Sequence, residues 1–341
     1  MTDPVRRVPR ALRGTGAGLL RRARTELDWL DSRRGGVHLA LFHEFAPSPS
    51  GGGHQFLRAL VGELQRRGLR VELNRLSART PACLFNSFNF DAARLLRFAR
   101  SDCRMVHRVD GPIGVYRGYD DGTDRTIAAV NAELAGATIL QSRYSLERHR
   151  ELGFDLRDPH VVHNAVDAAL FHPPSEHEPL VGRKARVVAT SWSDNERKGA
   201  DTLAWLDRNL DRERYELTFV GRAPLRFEHI RVVGPVPSEE VAKVLREHDV
   251  YLAPSRDDPC SNALLEALAS GLPAVYRDSG GHAELVGEGG MPFSDDADVP
   301  DVLARLLGEL DERRRAIRVP ALADVADAYL ALLGLGAEPR A

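Results

Sequence analysis

The sequence predicts an α/β chain of two successive doubly wound domains. Short apolar runs recur and alternate with segments whose apolar residues repeat at helical spacing, the pattern of parallel sheets covered by helices. A polar, proline-rich stretch, Phe171-His-Pro-Pro-Ser-Glu-His-Glu-Pro179, separates two such series. The 341 residues suffice for two domains of ordinary size.

Residues 1–35 are set apart from the rest as an extension. They hold nine arginines against four acidic residues, and Leu20, Ala23, Leu27 and Leu30 recur at helical spacing with Arg21, Arg22 and Arg24 between them. A helix packed on the body, a frayed terminus and a basic amphipathic helix touching an anionic membrane all satisfy this pattern. No apolar core of a signal peptide is present in it. The first domain is expected over 36–170. Val37–Phe42 reads as its first buried strand, followed by a Pro, Ser and Gly-rich loop. Phe56, Leu57, Leu60, Val61 and Leu64 then mark a helical face closed by Gly68. Strands are expected at Arg70–Leu73, Ala82–Phe85, Arg104–Val109, Ala137–Leu140 and His160–Val162, with helices at Asp91–Arg100 and Asp124–Ala135.

The second domain is expected over 171–325. Its strands are Ala185–Ser191, Tyr215–Val220, Ile230–Val233, Val250–Ala253 and Ala274–Tyr276. Its helices are Gly199–Asn209, Ser238–Glu247, Asn262–Ser270, Gly281–Val286 and Val299–Leu310. Residues 326–341 read as a tail. In two such domains the ligand belongs beyond the carboxyl ends of the strands.

Composition narrows the function. Hydrophobic residues make up 43% and charged residues 28%, with 47 basic against 49 acidic and net charge -2. That excludes a disordered chain and a generally basic nucleic-acid binder. No apolar run approaches the ~18 residues of a membrane span. Cys83, Cys103 and Cys260 form neither a disulfide framework nor a CxxC metal site and fit a reducing cytosol. The twelve histidines are scattered and read as mostly structural or exposed. Arginine is the default cation, so a lysine in a special place, such as Lys198, stands out.

Three segments could carry chemistry. Ser50-Gly-Gly-Gly-His-Gln-Phe56 lies between strand and helix, where glycines admit a ligand to the backbone and a helix start favours anions. It lacks the P-loop and GxGxxG spacings. In Asp258-Pro-Cys-Ser-Asn-Ala-Leu-Leu-Glu266, Glu266 sits on a nearly all-apolar helix, where a buried carboxylate needs a partner. A ligand hydroxyl and an internal salt bridge both stay open. Lys198, in Asn195-Glu-Arg-Lys-Gly199, follows a strand and opens a helix. A cation there reaches a pyrophosphate or simply meets solvent.

In combination the motifs resemble the retaining GT-B glycosyltransferases of family 4. Val162-His-Asn-Ala-Val-Asp167 with Phe171 and Pro173 resembles the family's entry into its donor domain. Arg197-Lys-Gly-Ala-Asp-Thr-Leu203 resembles its Lys-Gly segment, and Leu217-Thr-Phe-Val-Gly221 its glycine-ended strand. Asp258 to Gly271 resembles the Glu-x7-Glu signature, and Gly280-Gly-His-Ala-Glu-Leu-Val286 resembles Gly-Gly-x-x-Glu-x-Val. The resemblance covers roughly 37–310 and implies a GT-B fold, with two Rossmann-like domains facing across a cleft, the first on the acceptor side and the second on the donor side.

It also implies roles. Glu266 would bind the nucleotide ribose, and Asp258 would lie near the donor sugar. The backbone at Ser261, Asn262 and Ala263 would approach sugar and diphosphate. Lys198, with Arg197 beside it, would neutralise the leaving pyrophosphate. Gly52 and Gly53 would close over the diphosphate, and Val236 would flank the base. His107 and Arg108 would face the acceptor side. The sequence departs from the family at three points: Asp258 is a methylene shorter than the usual Glu, Trp192 stands where an Arg usually shares the pyrophosphate, and Asp110 aligns with a His near the donor sugar. Asp110, Lys198 and Asp258 are therefore the expected catalytic residues.

The expected reaction is metal-independent transfer with retention from a nucleotide sugar, a UDP- or GDP-sugar, to an acceptor hydroxyl. The acceptor is a carbohydrate or lipid-linked molecule, as in polysaccharide, glycolipid or secondary-metabolite synthesis. No cofactor, metal or nucleic-acid partner is implied. The expected place is the cytoplasm, at the membrane face if residues 1–35 touch it. A non-catalytic scaffold that binds a sugar nucleotide or a protein partner is the alternative.

Overall fold

A computed structural model describes residues 36–45, 52–193 and 195–336. The extension 1–35, the loop residues Ser50 and Gly51 and residues 337–341 lie outside them. Among the described residues no helix is long and apolar enough to cross a membrane.

The first domain begins with β1 (Leu39–Phe42), whose four side chains are all buried. The helix α1 (Gly52–Arg66) returns the chain to β2 (Val71–Leu73). β3 (Ala82–Asn86), β4 (Arg104–Val109), β5 (Ala137–Leu140) and β6 (Pro159–Val161) follow, and the sheet order is β2-β1-β3-β4-β5-β6. Every pairing is parallel, as continuous apolar runs buried on both faces require. Helices α2 (Ala92–Phe98), α3 (Ile113–Arg117), α4 (Thr123–Leu134) and α5 (Arg143–Glu151) connect these strands. The sequence analysis did not anticipate α5, because its run Arg-Tyr-Ser-Leu-Glu-Arg-His-Arg-Glu carries a single aliphatic residue. Ser142 caps it by accepting the N–H of Ser145.

The second domain repeats the plan. β7 (Ala185–Ser191), β8 (Tyr215–Gly221), β9 (Arg231–Val233), β10 (Val250–Ala253), β11 (Ala274–Arg277) and β12 (Gly290–Phe293) lie in the order β12-β11-β10-β7-β8-β9. This is the Rossmann order. Five strands match expectation to within a residue or so. β12 is the sixth and was missed, since Gly290 and Pro292 argue against a strand. It is tolerated because it lies at the sheet edge. Helices α6 (Ala200–Asn209), α7 (Ser238–Arg246), α8 (Asn262–Ala269), α9 (His282–Val286), α10 (Val299–Gly308) and α11 (Leu310–Ala316) complete it.

The chain then crosses back. Residues expected as a tail from 326 on instead belong to α12 (Leu322–Leu332), which packs onto α1. Leu322, Val325, Ala326, Tyr329 and Leu330 share one core with Phe56, Leu57, Leu60 and Leu64. The Phe56 and Tyr329 rings lie 5.9 Å apart. Burying each of these leucines contributes about 1.5–3 kcal/mol, which explains why the return is fixed.

Candidate functional site

A sheet whose strand order reverses opens a crevice where the two halves diverge. In the first domain that point lies between β1 and β3, at Phe42–His43 and Asn86. In the second it lies between β7 and β10, at Ser191–Ser193 and Ala253–Ser255. The two points face each other across a cleft of about 360 Å³.

On the second-domain side, the short 3-10 turn Glu196–Lys198 ends at Gly199 with φ +89°. A Cβ there would lie 2.8 Å from the Pro254 carbonyl oxygen, so only glycine lets the turn pack against the end of β10. The turn delivers Lys198 Nζ to within 2.7 Å of Asp258 Oδ2 and 4.9 Å from the centre of the Tyr116 ring, which comes from the first domain. Burial opposes the charge on both members of the pair. Their mutual attraction outweighs it, holding the Lys198 ammonium above and the Asp258 carboxyl below their ordinary ranges.

Gly280 and Gly281 place this loop. A Cβ on Gly280 would meet the Asp258 carbonyl oxygen at 2.3 Å, and one on Gly281 would meet that of Pro259 at 2.4 Å. The neighbouring His282 is fully buried. Its Nδ1 bonds the Arg277 carbonyl, so Nδ1 carries the proton and Nε2 accepts from the Ser255 hydroxyl at 3.1 Å. Ser261 caps α8 through the N–H of Leu264, and Asn262 and Ala263 open the helix onto the cleft. One turn on, Glu266 is 7% exposed, and burial alone pushes its carboxyl up to about 8.

On the first-domain side Asp110 lines the cleft. Its carboxylate accepts from Arg108 at 2.9 Å, from the Ser87 hydroxyl at 2.9 Å and from Gln141. Burial raises its pKa, but Arg108 and these donors more than reverse the effect, so it stays ionised. Arg108 itself is fully buried. It also donates to Asn86 and, at 3.0 Å, to Asn164. Asn164 in turn donates to Asn262 of the second domain at 3.0 Å. His43 Nε2 and His54 Nδ1 are 2.8 Å apart, and both residues line the cleft.

Of the expected residues, Gly53, Asp110, Lys198, Asp258, Ser261, Asn262 and Ala263 line this one cleft. Gly52 opens α1 beside it. Five others do not line it. Glu266 is buried one turn along α8 from the lining residues Asn262 and Ala263. Val236 packs on the second-domain core. Arg197 turns away to pair with Asp257 in a separate depression with Gly118 and Arg148. Arg108 lies beneath Asp110 rather than facing an acceptor. His107 is fully buried, stacked on Phe85 at 4.3 Å, with both ring nitrogens engaged by Ser87 and Asn131. Their place inside β4 explains these last two: a side chain reaches the cleft from past the carboxyl end of the strand, where Asp110 stands. The sequence analysis missed His43, His54, Asn86, Tyr116 and Gln141. Only the position of His43, Asn86 and Gln141 just past a buried strand or at its end could have marked them.

The starts of α1 and α8 and the Lys198 ammonium thus converge on one space. Helix N-termini and a cation together favour a multiply charged anion. The half-buried carboxylate of Asp110 and the buried one of Asp258 can hold hydroxyl groups beside it.

A family model described as glycosyl transferases group 1 matches residues 185–310. A D-inositol 3-phosphate glycosyltransferase of Corynebacterium efficiens is 27% identical over 83% of this chain and 66% of its own length. A lipopolysaccharide core biosynthesis mannosyltransferase of Rhizobium leguminosarum is 30% identical over 39% of this chain and 44% of its own length. The chain therefore spans just under two thirds of the first relative and under half of the second. Among solved structures, sucrose-phosphate synthase of Thermosynechococcus elongatus superposes with TM-score 0.69 at 16% identity, covering 87% of this chain and 98% of that one. HepE of Anabaena in complex with UDP-glucose superposes with TM-score 0.59 at 14% identity, covering 87% and 96%.

Proposed function

We propose that the chain, which has the two-domain GT-B architecture and matches the group 1 glycosyl transferases over residues 185–310, transfers a sugar from a nucleotide-sugar donor to an acceptor hydroxyl. The observation that carries this reading is the Lys198–Asp258 pair set between two helix starts at facing switch points. The diphosphate takes the anion space and draws Lys198 from Asp258. Lys198 then stabilises the charge that develops as the diphosphate leaves. Asp258, released from its partner, holds a donor-sugar hydroxyl. Glu266, on the next turn of α8, holds the ribose, and the match between its raised pKa and a missing partner supports that role.

Transfer proceeds with retention and without a metal, by attack on the face from which the diphosphate departs. The departing phosphate takes the acceptor proton, and Asp110 stabilises the positive charge on the sugar ring. The acceptor is a carbohydrate or a lipid-linked molecule bound against the first domain. A thermal-shift screen with UDP, GDP and ADP and their common sugars identifies the donor, because a ligand bound only to the native state raises Tm. Hydrolysis or transfer of the sugar whose nucleotide binds confirms turnover. Binding without turnover would make the chain a sugar-nucleotide scaffold instead, and no shift with any nucleotide would remove the reading.

A further inference from the structure

Two ion pairs in succession join the turn after β7 to the loop after β10. Arg197 pairs with Asp257, and the next residue of each segment pairs likewise, Lys198 with Asp258. Beside them the N–H of Arg256 donates to the Arg197 carbonyl at 2.7 Å. Only the inner pair, Lys198 and Asp258, lines the cleft; the outer pair lines the separate depression. Asp257 stands at φ +53°, in the left-handed region that aspartate enters more readily than most side chains. Its N–H donates to the Ser279 hydroxyl at 2.9 Å.

The outer pair is also held from the first domain. The Tyr144 hydroxyl, in the first turn of α5, donates to Asp257 Oδ1 at 2.9 Å, while Arg197 donates to Oδ2. Burial first, then Asp257, push the Tyr144 hydroxyl above its ordinary range, so it keeps its proton and donates. Arg197 rests on the end of α3, where a Cβ on Gly118 would lie 3.0 Å from its Nε.

The inner pair has to open in the reaction, because the diphosphate draws Lys198 off Asp258 and each then serves a different part of the donor. The outer pair lies outside the anion space and stays closed. We propose that Asp257, gripped by Arg197 and Tyr144, is the positioning residue that holds turn and loop at a fixed separation while Lys198 and Asp258 part, and that Tyr144 makes this grip depend on the first domain. This rests on the functional reading above and gives Arg197 a task apart from the pyrophosphate.

Two measurements test it. The chain has three lysines, Lys184, Lys198 and Lys243, so carbon-13 labelling at lysine Cε gives three NMR signals. Tyr144→Phe removes one hydroxyl from the other domain. It should move the Lys198 signal and leave the other two in place, which a general loosening of the fold would not do. The second measurement is the affinity for the nucleoside diphosphate that the wild type takes from UDP, GDP and ADP. Tyr144→Phe and Arg197→Ala should each weaken it about five-fold. In a Lys198→Ala/Asp258→Asn background, where the inner pair is gone, each loss should be less than about two-fold. Should Arg197→Ala fail to fold, Tyr144→Phe carries the same comparison. An unmoved Lys198 signal, or equal losses in both backgrounds, would overturn the proposal; equal losses for Arg197→Ala alone would make that residue a direct phosphate ligand and overturn its place in the grip. A wild type that binds none of the three diphosphates overturns the functional reading, while the Lys198 signal still decides the positioning.

Discussion

The carboxylate of Glu284 accepts the backbone N–H of Tyr144 at 2.8 Å, tying the Gly-Gly-His-Ala-Glu segment of one domain to the first turn of a helix in the other. The N–H of Arg143 reaches the same carboxylate at 2.8 Å, and His163 lies 3.3 Å from it. Tyr144 adds a second link through its hydroxyl to Asp257 at 2.9 Å. Glu284 therefore caps α5 from across the domain boundary.

Replacing Glu284 with Ala should cost about 1–2 kcal/mol of stability, the usual value of a lost cap. Burial raises the Glu284 pKa, but His163 and the Tyr144 and Arg143 amides more than offset this and leave it below its ordinary value of 4.5. The stability it contributes is thus present above about pH 4.5 and lost as pH falls through the lowered value. Urea unfolding from pH 7 down to pH 3 should show the wild type converging on Glu284→Ala. A constant gap between the two curves would contradict the assignment.

Lys198→Ala leaves Asp258 buried without its partner. We expect a destabilisation of about 3–5 kcal/mol together with a fall in transfer rate of about a hundred-fold or more. Adding Asp258→Asn removes the stranded charge, so the double variant should regain most of the Tm and none of the rate. Recovery of both would show that Lys198 matters only for folding.

Glu266 carries a raised pKa, about 8 against an ordinary 4.5. The sign is opposite to that of Glu284. Its stability is full below about pH 4.5 and declines as pH rises through 8, because the folded protein must then hold an unpaired carboxylate. Glu266→Gln should match the wild type at pH 4 and exceed it by a few kcal/mol at pH 9. The same change should weaken donor binding, since glutamine cannot accept two ribose hydroxyls as a carboxylate does. Equal stability of the two proteins at pH 9 would show that the carboxylate has a partner.

Gly280→Ala places a methyl group where the Asp258 carbonyl oxygen already stands, at a backbone φ of +69°. The Asp258 loop must shift, and Lys198 loses its 2.7 Å partner. Activity should fall at least ten-fold, since small misplacements of reacting groups are costly, while circular dichroism stays that of the wild type. Full activity in a folded variant would free the loop of this constraint.

Much of this arrangement is legible in the residues. Strands buried on both faces announce themselves as apolar runs, so β4, β5, β7 and β10 have the expected ends. Lys198, Asp258 and Glu266 stand out because charged groups are conspicuous against glycine or aliphatic neighbours. What the sequence hides is long-range partnership. Nothing in Leu-Ala-Asp-Val-Ala-Asp-Ala-Tyr-Leu-Ala-Leu names α1 as its cover. Arg108 looks like a surface cation until β4 is seen at the centre of a sheet, where its guanidinium serves Asn86, Asp110 and Asn164. His43 and His54 are separated by the glycine loop, and each is unremarkable alone. Their contact arises from the fold, which sets the start of α1 against the end of β1.

The return of α12 to the first domain has a consequence for synthesis. Phe56, Leu57, Leu60 and Leu64 are made early, yet their cover is residues 322–333. The first domain cannot shut its core until those residues have left the ribosome, so the nascent chain carries an open apolar helix face through the translation of the entire second domain. Domains that fold strictly in order of synthesis avoid that exposure.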